Sequence, residues 1–494
     1  MQYDREICEI AHYVYHYSVV DDQVLQLAHT ALLDALGCAI QTLTESESAR
    51  RLVRCFCADA QLSHGARIPG TSIQLDPVKG AMSLGVLIRY LDHNDGMIGK
   101  EWGHPSDNIG ALLPVMDWLC RRSPLEQKRS SGPPLTMRTL LEAIVKAYEI
   151  QGCMQQENAF NQCGLDHTVL VKIASAAVVP WLMGLSEEQA MACISHGWMD
   201  SAPLRVYRHG ENTIPRKGWA AGDACSRAVQ FALMVQAGQP GAPTVLSMPR
   251  WGFYGTTWRG QPPFSLPMPY ADWVIRNIGY KLMPVEGHGI TAVEAILEQR
   301  KRMEEEGYSN PAKDIEAIVI RTNAAAKLII DKSGVLHNAA DRDHCMQYCV
   351  AVSLLKGSPP ETADYHDESP YATSKEVHAI SKRIDIYVDD RLTDDYLNRD
   401  KRSIASGITI QLGNGRVFDE VLVEYPIGHA AKTETLARVQ EKFRRNMALL
   451  FSPAESERVQ MAAAPQSELR VSEFMDLLEK KQGRISNMLS GARL

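Results

Sequence analysis

Leu91-Asp92-His93-Asn94-Asp95, followed nine residues after Asp95 by His104-Pro105-Ser106-Asp107-Asn108, stands between two apolar-periodic segments, Val78–Tyr90 and Ile109–Arg121. Both segments read as buried helices. Asp92, Asp95 and Asp107 therefore share with His93 and His104 a Gly-containing loop where two helices meet. Burying such groups costs free energy unless they are paired, and their mutual fields move pKa values toward neutrality. The cluster serves either as a satisfied hydrogen-bond network or as an acid/base site.

Outward from this loop, the first half of the chain is helical by period. Signatures run through Arg5–Tyr17, Asp22–Gln41, Asp76–Tyr90, Ser106–Arg122, Thr136–Gln155, Thr168–Leu185, Ser186–Trp198 and Trp219–Ala237. Thr136 and Ser186 read as N-caps, Gly184 and Gly238 as helix stops. Lys128 to Pro134 reads as a surface loop. Near residues 240–270 the composition turns to Pro, Gly and aromatics, as in an ordered connection between domains. Beyond it helices predicted at Thr291–Glu306 and Asp341–Leu355 alternate with strands at Ile315–Arg321 and Ile384–Val388. A hairpin, Ser406–Leu412 with Val417–Tyr425, turns at Gly413-Asn414-Gly415. Helices return at Thr433–Phe451 and Val471–Leu489. The predicted architecture is mainly α: a helical domain over 1–268, an α+β domain with a small antiparallel sheet over 269–428, and C-terminal helices over 429–494 that pack back on the helical domain.

A chain of 494 residues exceeds one ordinary core. Its 45% hydrophobic and 22% charged residues are those of a soluble globular protein. A net charge of −7 argues against a nucleic-acid surface or a basic membrane face. Eleven cysteines without any C-x-x-C read as reduced core thiols of an intracellular protein, and the usual zinc and iron–sulfur spacings are missing. The first residues carry acids and resemble neither a signal nor a transit peptide. The apolar stretch Val169 to Leu185 contains Lys172 and Pro180, so no membrane span is expected. The terminal Ala492-Arg493-Leu494 is similar to the peroxisomal Ser-Lys-Leu address.

Four further places are odd for a helical core: Asp166-His167, the basic run from Arg205 through Arg208, His209, Arg216 and Lys217, Glu286-Gly287-His288, and Asp341-Arg342-Asp343-His344 with Tyr348. Each has a plain structural reading: an N-cap, a solvated turn or a hydrogen-bonded core histidine. Together they suit proton abstraction beside a carboxylate. The bases would hold a polyanion, one imidazole or carboxylate would take the α-proton, and a second would protonate the leaving hydroxyl. G-x-G-x-x-G, G-x-x-x-x-G-K-[ST] and G-x-S-x-G are all absent.

Leu91-Asp92-x-x-Asp95 with Trp102-Gly103-His104-Pro105-Ser106-Asp107-Asn108, Gly164-Leu165-Asp166-His167 and Tyr207-Arg208-His209 resemble the MmgE/PrpD family. So do Arg216-Lys217-x-Trp219-Ala220-Ala221-Gly222-Asp223, Trp251-Gly252-Phe253, Asp341-Arg342-Asp343-His344 and Tyr425-Pro426-x-Gly428-His429. The match is collinear over nearly the whole chain, and within the family it is closest to the 2-methylcitrate dehydratases. The resemblance implies a helical domain with a mobile α+β lid, a homodimer, no cofactor and no metal. It also implies elimination of water from 2-methylcitrate to 2-methyl-cis-aconitate. The catalytic positions implied are Asp92, His104, His167, His288 and Tyr348, with Lys217 the nearest basic counterpart. Asp95, Arg208, His209, Arg216, Gly287 and Ile290 are expected to contact the tricarboxylate substrate. The acid/base residues are expected to converge, His288 being brought in by the lid. Iron–sulfur aconitases perform the same chemistry through three cluster cysteines whose spacing is lacking here.

Two stretches depart from the family pattern. Where those dehydratases usually read Phe-Pro-Ala-Glu-Phe-His-Ser-Gln-Thr-Ala, this chain has Met283-Pro284-Val285-Glu286-Gly287-His288-Gly289-Ile290-Thr291-Ala292. Where they read Arg-Lys-Ser-Trp, it has Arg216-Lys217-Gly218-Trp219. The lost bulk and hydroxyls suggest room for a 2-substituent longer than methyl. Two other function classes stay open at this point: a decarboxylase of an aconitate-like acid, and a helical scaffold without catalysis. The scaffold would be marked by loss of the His/Asp/Lys set, which is intact.

Overall fold

The computed structural model describes residues 2–57, 60–122, 131–200, 202–209, 212–480 and 489. Ala492-Arg493-Leu494, residues 481–488 and the first part of the Lys128 to Pro134 loop lie outside the described residues, and the helix expected over Val471–Leu489 ends at Leu477. The chain divides into two compact units. One comprises Met1–Arg205, Gly218–Gly279 and Leu436–Leu494; the other comprises Val206–Lys217 and Tyr280–Thr435.

The larger unit is helical. Helices Pro77–Arg89, Ile109–Arg122, Thr168–Met183 and Ala220–Gln236 pack on one another at its centre. Local chemistry sets several helix ends in this unit. Asp76 accepts from the backbone N–H groups of Val78 and Lys79, with Pro77 in the first turn. Ser186 and Gln189 form a reciprocal capping box for Glu187–Met199. Gly184, at φ 75°, and Gly238, at φ 94°, stop their helices in the left-handed region. Nearly every residue of Thr168–Met183 is buried, and each fully buried Val, Leu or Ile contributes about 1.5–3 kcal/mol. Three of the central helices touch through glycine. A Cβ on Gly85 would lie 2.6 Å from the Cα of Gly222, and one on Gly110 would lie 2.8 Å from the Cα of Gly85.

The helix expected over Asp22–Gln41 extends to Glu45, and by length and composition it could cross a membrane. It is instead enclosed by protein, and its buried Asp34 accepts a 2.7 Å hydrogen bond from Lys442. A helix at Glu47–Cys57 escapes the periodic reading. The aromatic stretch is ordered, with Phe253, Trp258 and Phe264 packed around Phe160 and Trp198. All eleven cysteines are free.

The smaller unit carries a four-stranded sheet in the order Ile384–Val388, Ile315–Thr322, Ser406–Leu412, Val417–Val423. Helix Ile290–Glu305 covers it, Met346–Lys356 packs on that helix, and they share an apolar core with the sheet. The sheet is mixed, not wholly antiparallel, because Ile384–Val388 adds to Ile315–Thr322 in parallel. The hairpin turns where expected, with Gly415 at φ 85°. The single helix expected over Asp341–Leu355 is two, Ala339–Arg342 and Met346–Lys356. Cys345 is extended between them, and the interruption gives Asp343 and His344 side chains their own partners.

Candidate active site

Arg89 organises the acid/base group of the larger unit. It sits in the last turn of Pro77–Arg89, fully buried, and its guanidinium bonds the Asp92 carboxylate. The same guanidinium donates to His104 Nε2 at 2.9 Å. Asp92 holds φ 53°, a left-handed conformation that Asp tolerates and that reverses the chain just past the helix. His104 Nδ1 lies 2.5 Å from the backbone carbonyl of Asp95. A carbonyl only accepts and a guanidinium only donates, so the proton is on Nδ1 and the lone pair is on Nε2. The ring of His167 stands 5.4 Å from that of His104, centroid to centroid. Its Nδ1 is 3.5 Å from Asp166 Oδ1, and Arg205 reaches both Asp166 and Glu101.

Asp95 is locked behind this group. Ser106 Oγ donates to Oδ1 at 2.6 Å and Tyr148 to Oδ2 at 2.6 Å. Burial raises its carboxyl from the ordinary 3.8 to about 6, against the opposing pull of the Ser106 and Tyr148 hydrogen bonds. The folded chain therefore holds this proton more tightly than the unfolded chain. The resulting stabilisation is complete below the unfolded value of 3.8 and is lost as pH rises through about 6. Asp95→Asn should remove a share of the pH dependence worth on the order of 2–3 kcal/mol between pH 4 and 7. Urea unfolding of both proteins across that range measures it. Identical slopes would show that Asp95 does not hold the proton.

The smaller unit has two groups. His288 lies in the short turn Gly287–Gly289, where Glu286 caps its backbone N–H and sits 3.1 Å from Nδ1. Tyr396 OH is 3.1 Å from Nε2. Burial would raise the Glu286 carboxyl, but His288, His344 and Lys281 outweigh it and hold it at about 2. Lys217 donates to Asp343 at 2.8 Å and lies 3.4 Å from His344 Nδ1, which is itself 2.6 Å from Asp343 Oδ1. Arg208 and Arg216 stack on the ring of Tyr207, at 5.1 and 5.5 Å from its centroid. His209 is exposed, and its N–H bonds Val206. Tyr348 is buried, donates 2.7 Å to the Asp364 carbonyl, and has its phenol pushed up by burial. Ile290 packs in the core of the unit, and Gly287 is buried beside His288.

Two of the positions expected to leave room are filled. A Cβ on Gly218 would lie 3.0 Å from the Cα and carbonyl oxygen of Tyr90, and one on Gly289 would lie 3.1 Å from Val285. Sequence reading missed Arg89, Tyr148 and Tyr396, and it named Asp343 and His344 without their pairing to Lys217. The signal for Arg89 was weak: it ends an apolar helix three residues before Asp92, where a basic residue also answers the helix dipole.

Residues 8–265 match the MmgE/PrpD N-terminal domain and residues 283–466 the MmgE/PrpD C-terminal domain. The chain belongs to the MmgE/PrpD family. It is 54% identical over 480 residues to alkylcitrate dehydratase phiI of Fungal sp. (strain ATCC 74256), covering 97% of this chain and 94% of that protein. It is 46% identical to alkylcitrate dehydratase phiI of Talaromyces stipitatus, covering 97% of each. It is 43% identical to 2-methylcitrate dehydratase of Escherichia coli K12, covering 96% of this chain and 97% of that protein. As a MmgE/PrpD protein this similar to dehydratases along nearly its full length, the chain is a hydro-lyase.

Proposed function

We propose that this MmgE/PrpD protein eliminates water from a 2-alkylcitrate by acid/base catalysis without a metal, giving the 2-alkyl-cis-aconitate. The observation that carries the proposal is the Asp92–Arg89–His104 arrangement with His167 beside it. Elimination breaks one C–H and one C–O bond and forms a C=C bond. It needs a base for the α-proton and an acid for the leaving hydroxyl. Two imidazoles 5.4 Å apart suit that division. Arg89 supplies the positive charge beside Asp92 and His104, which favours proton transfer over a bound cation there. Within the smaller unit, Lys217 and Arg208 are the cations suited to carboxylates, and Glu286 and Tyr396 poise His288.

The preferred 2-substituent is longer than methyl. Supporting this are the alkylcitrate dehydratases at 54% and 46% identity, against 43% for the 2-methylcitrate dehydratase, and Gly287 where the 2-methylcitrate dehydratase pattern has Phe. Each added methylene that reaches an apolar wall contributes up to about 0.8 kcal/mol, roughly fourfold in kcat/KM. A series from 2-methyl- to 2-hexylcitrate, followed by alkene absorbance with carbon dioxide measured alongside, should show kcat/KM climbing with chain length. Gly287→Phe should return preference to 2-methylcitrate. A series highest at methyl would reject the longer chain while leaving dehydration intact.

A further inference from the structure

Away from the acid/base residues, His12 and His16 stand one turn apart on the exposed face of the Arg5–His16 helix. Glu187, the first residue of Glu187–Met199, meets them from the neighbouring helix. The imidazole centroids are 4.3 Å apart. His16 Nε2 is 2.9 Å from one Glu187 oxygen, and His12 Nδ1 is 3.8 Å from the other. We propose that His12, His16 and Glu187 form a binding site for a divalent transition-metal ion of the zinc type.

Three features carry this assignment. First, the i, i+4 spacing places both imidazoles on one side of a helix, where they can share an ion. Second, one carboxylate turns a different oxygen to each ring. Tetrahedral zinc with bonds near 2.1 Å spaces its ligand atoms about 3.4 Å apart, between the two separations seen here. At 3.8 Å the His12 contact is too long for a hydrogen bond but suits a shared ligand. All candidate ligand atoms lie within 4.8 Å of one another, so small side-chain rotations close the site. Third, Glu187 is held in place by the Ser186/Gln189 capping box, and Tyr15 OH bonds the carbonyl of Leu185 at 2.7 Å. Both histidines also line a groove of 780 Å³ with Arg5, Glu6, Tyr13 and Tyr17, so water can complete the coordination shell. Two imidazoles and a carboxylate suit zinc, nickel and copper(II), not calcium or magnesium. The bound ion would tie the N-terminal helix to Glu187–Met199, a structural role separate from turnover.

The test titrates zinc chloride into metal-stripped full-length protein, by calorimetry, for wild type and the double variant His12→Ala/His16→Ala. Wild type should bind one zinc per chain more than the double variant. Removing a ligand should weaken binding by no less than the about tenfold that loss of a supporting partner causes, so Glu187→Gln serves as an independent single variant. Zinc should raise the melting temperature of wild type and leave that of the double variant unchanged. Dehydratase activity should be equal in both, which certifies the fold. Equal zinc stoichiometry and affinity in wild type and both variants would overturn the assignment.

Discussion

Replacing His104 by alanine should lower kcat about a thousandfold or more while the chain stays folded. A positioned acid or base contributes on the order of 10²–10⁴ to rate, and His104 has its proton and its lone pair fixed by Asp95 and Arg89. The substitution strands no charge, because Arg89 keeps the Asp92 carboxylate as its partner. The stability cost is then that of a lost buried hydrogen bond, about 1–3 kcal/mol. Steady-state kinetics on 2-alkylcitrates with a parallel urea melt separates the two effects. A kcat within tenfold of wild type would remove His104 from the chemistry. A loss of kcat that tracks a loss of folded protein would make it a structural residue.

The second large effect is on stability. Lys442, from the Thr435–Met447 helix, donates 2.7 Å to Asp34 and 2.5 Å to the backbone carbonyl of His93, and both side chains are buried. Burial alone would lower the ammonium pKa, but Asp34 and Cys38 outweigh it and hold it above the ordinary lysine value. Lys442→Met leaves Asp34 without its cation inside the helical unit, at a cost of about 3–5 kcal/mol. The double variant Lys442→Met/Asp34→Asn no longer buries that charge and should recover much of the loss. Urea midpoints for the two single variants and the double complete the cycle. A Lys442→Met protein within about 1 kcal/mol of wild type would show that the pair carries little. His93 follows Asp92 directly, so the same lysine also pins the backbone of the acid/base loop.

What the sequence made legible followed from short range and from contrast. A polar loop between two apolar helices stands out, so Asp92, Asp95 and His104 were visible together, and the structure indeed bonds them through Arg89 and the Asp95 carbonyl. Arg89 itself was hidden because a basic residue in the last turn reads as an ordinary answer to the helix dipole. Lys442 and Tyr396 were hidden for another reason. Their partners lie 349 and 108 residues away, and no periodicity carries information over that distance. The helix expected across Asp341–Leu355 failed at Asp343–Cys345, where pairing of Asp343 with Lys217 and His344 overrides the apolar repeat. The parallel edge strand was likewise invisible, because the period of a strand fixes its faces and not its neighbour's direction.

Gly85, Gly110 and Gly222 leave the three helices around the acid/base loop in backbone-to-backbone contact. Spacing set by side chains can be retuned one methylene at a time; spacing set by bare main chain has no finer setting. The frame that presents Arg89 and His104 is thus closed to gradual adjustment, since any larger residue at these points forces a helix aside. Adjustment of what this chain binds is then left to what the frame carries, the turns and short segments that end on it.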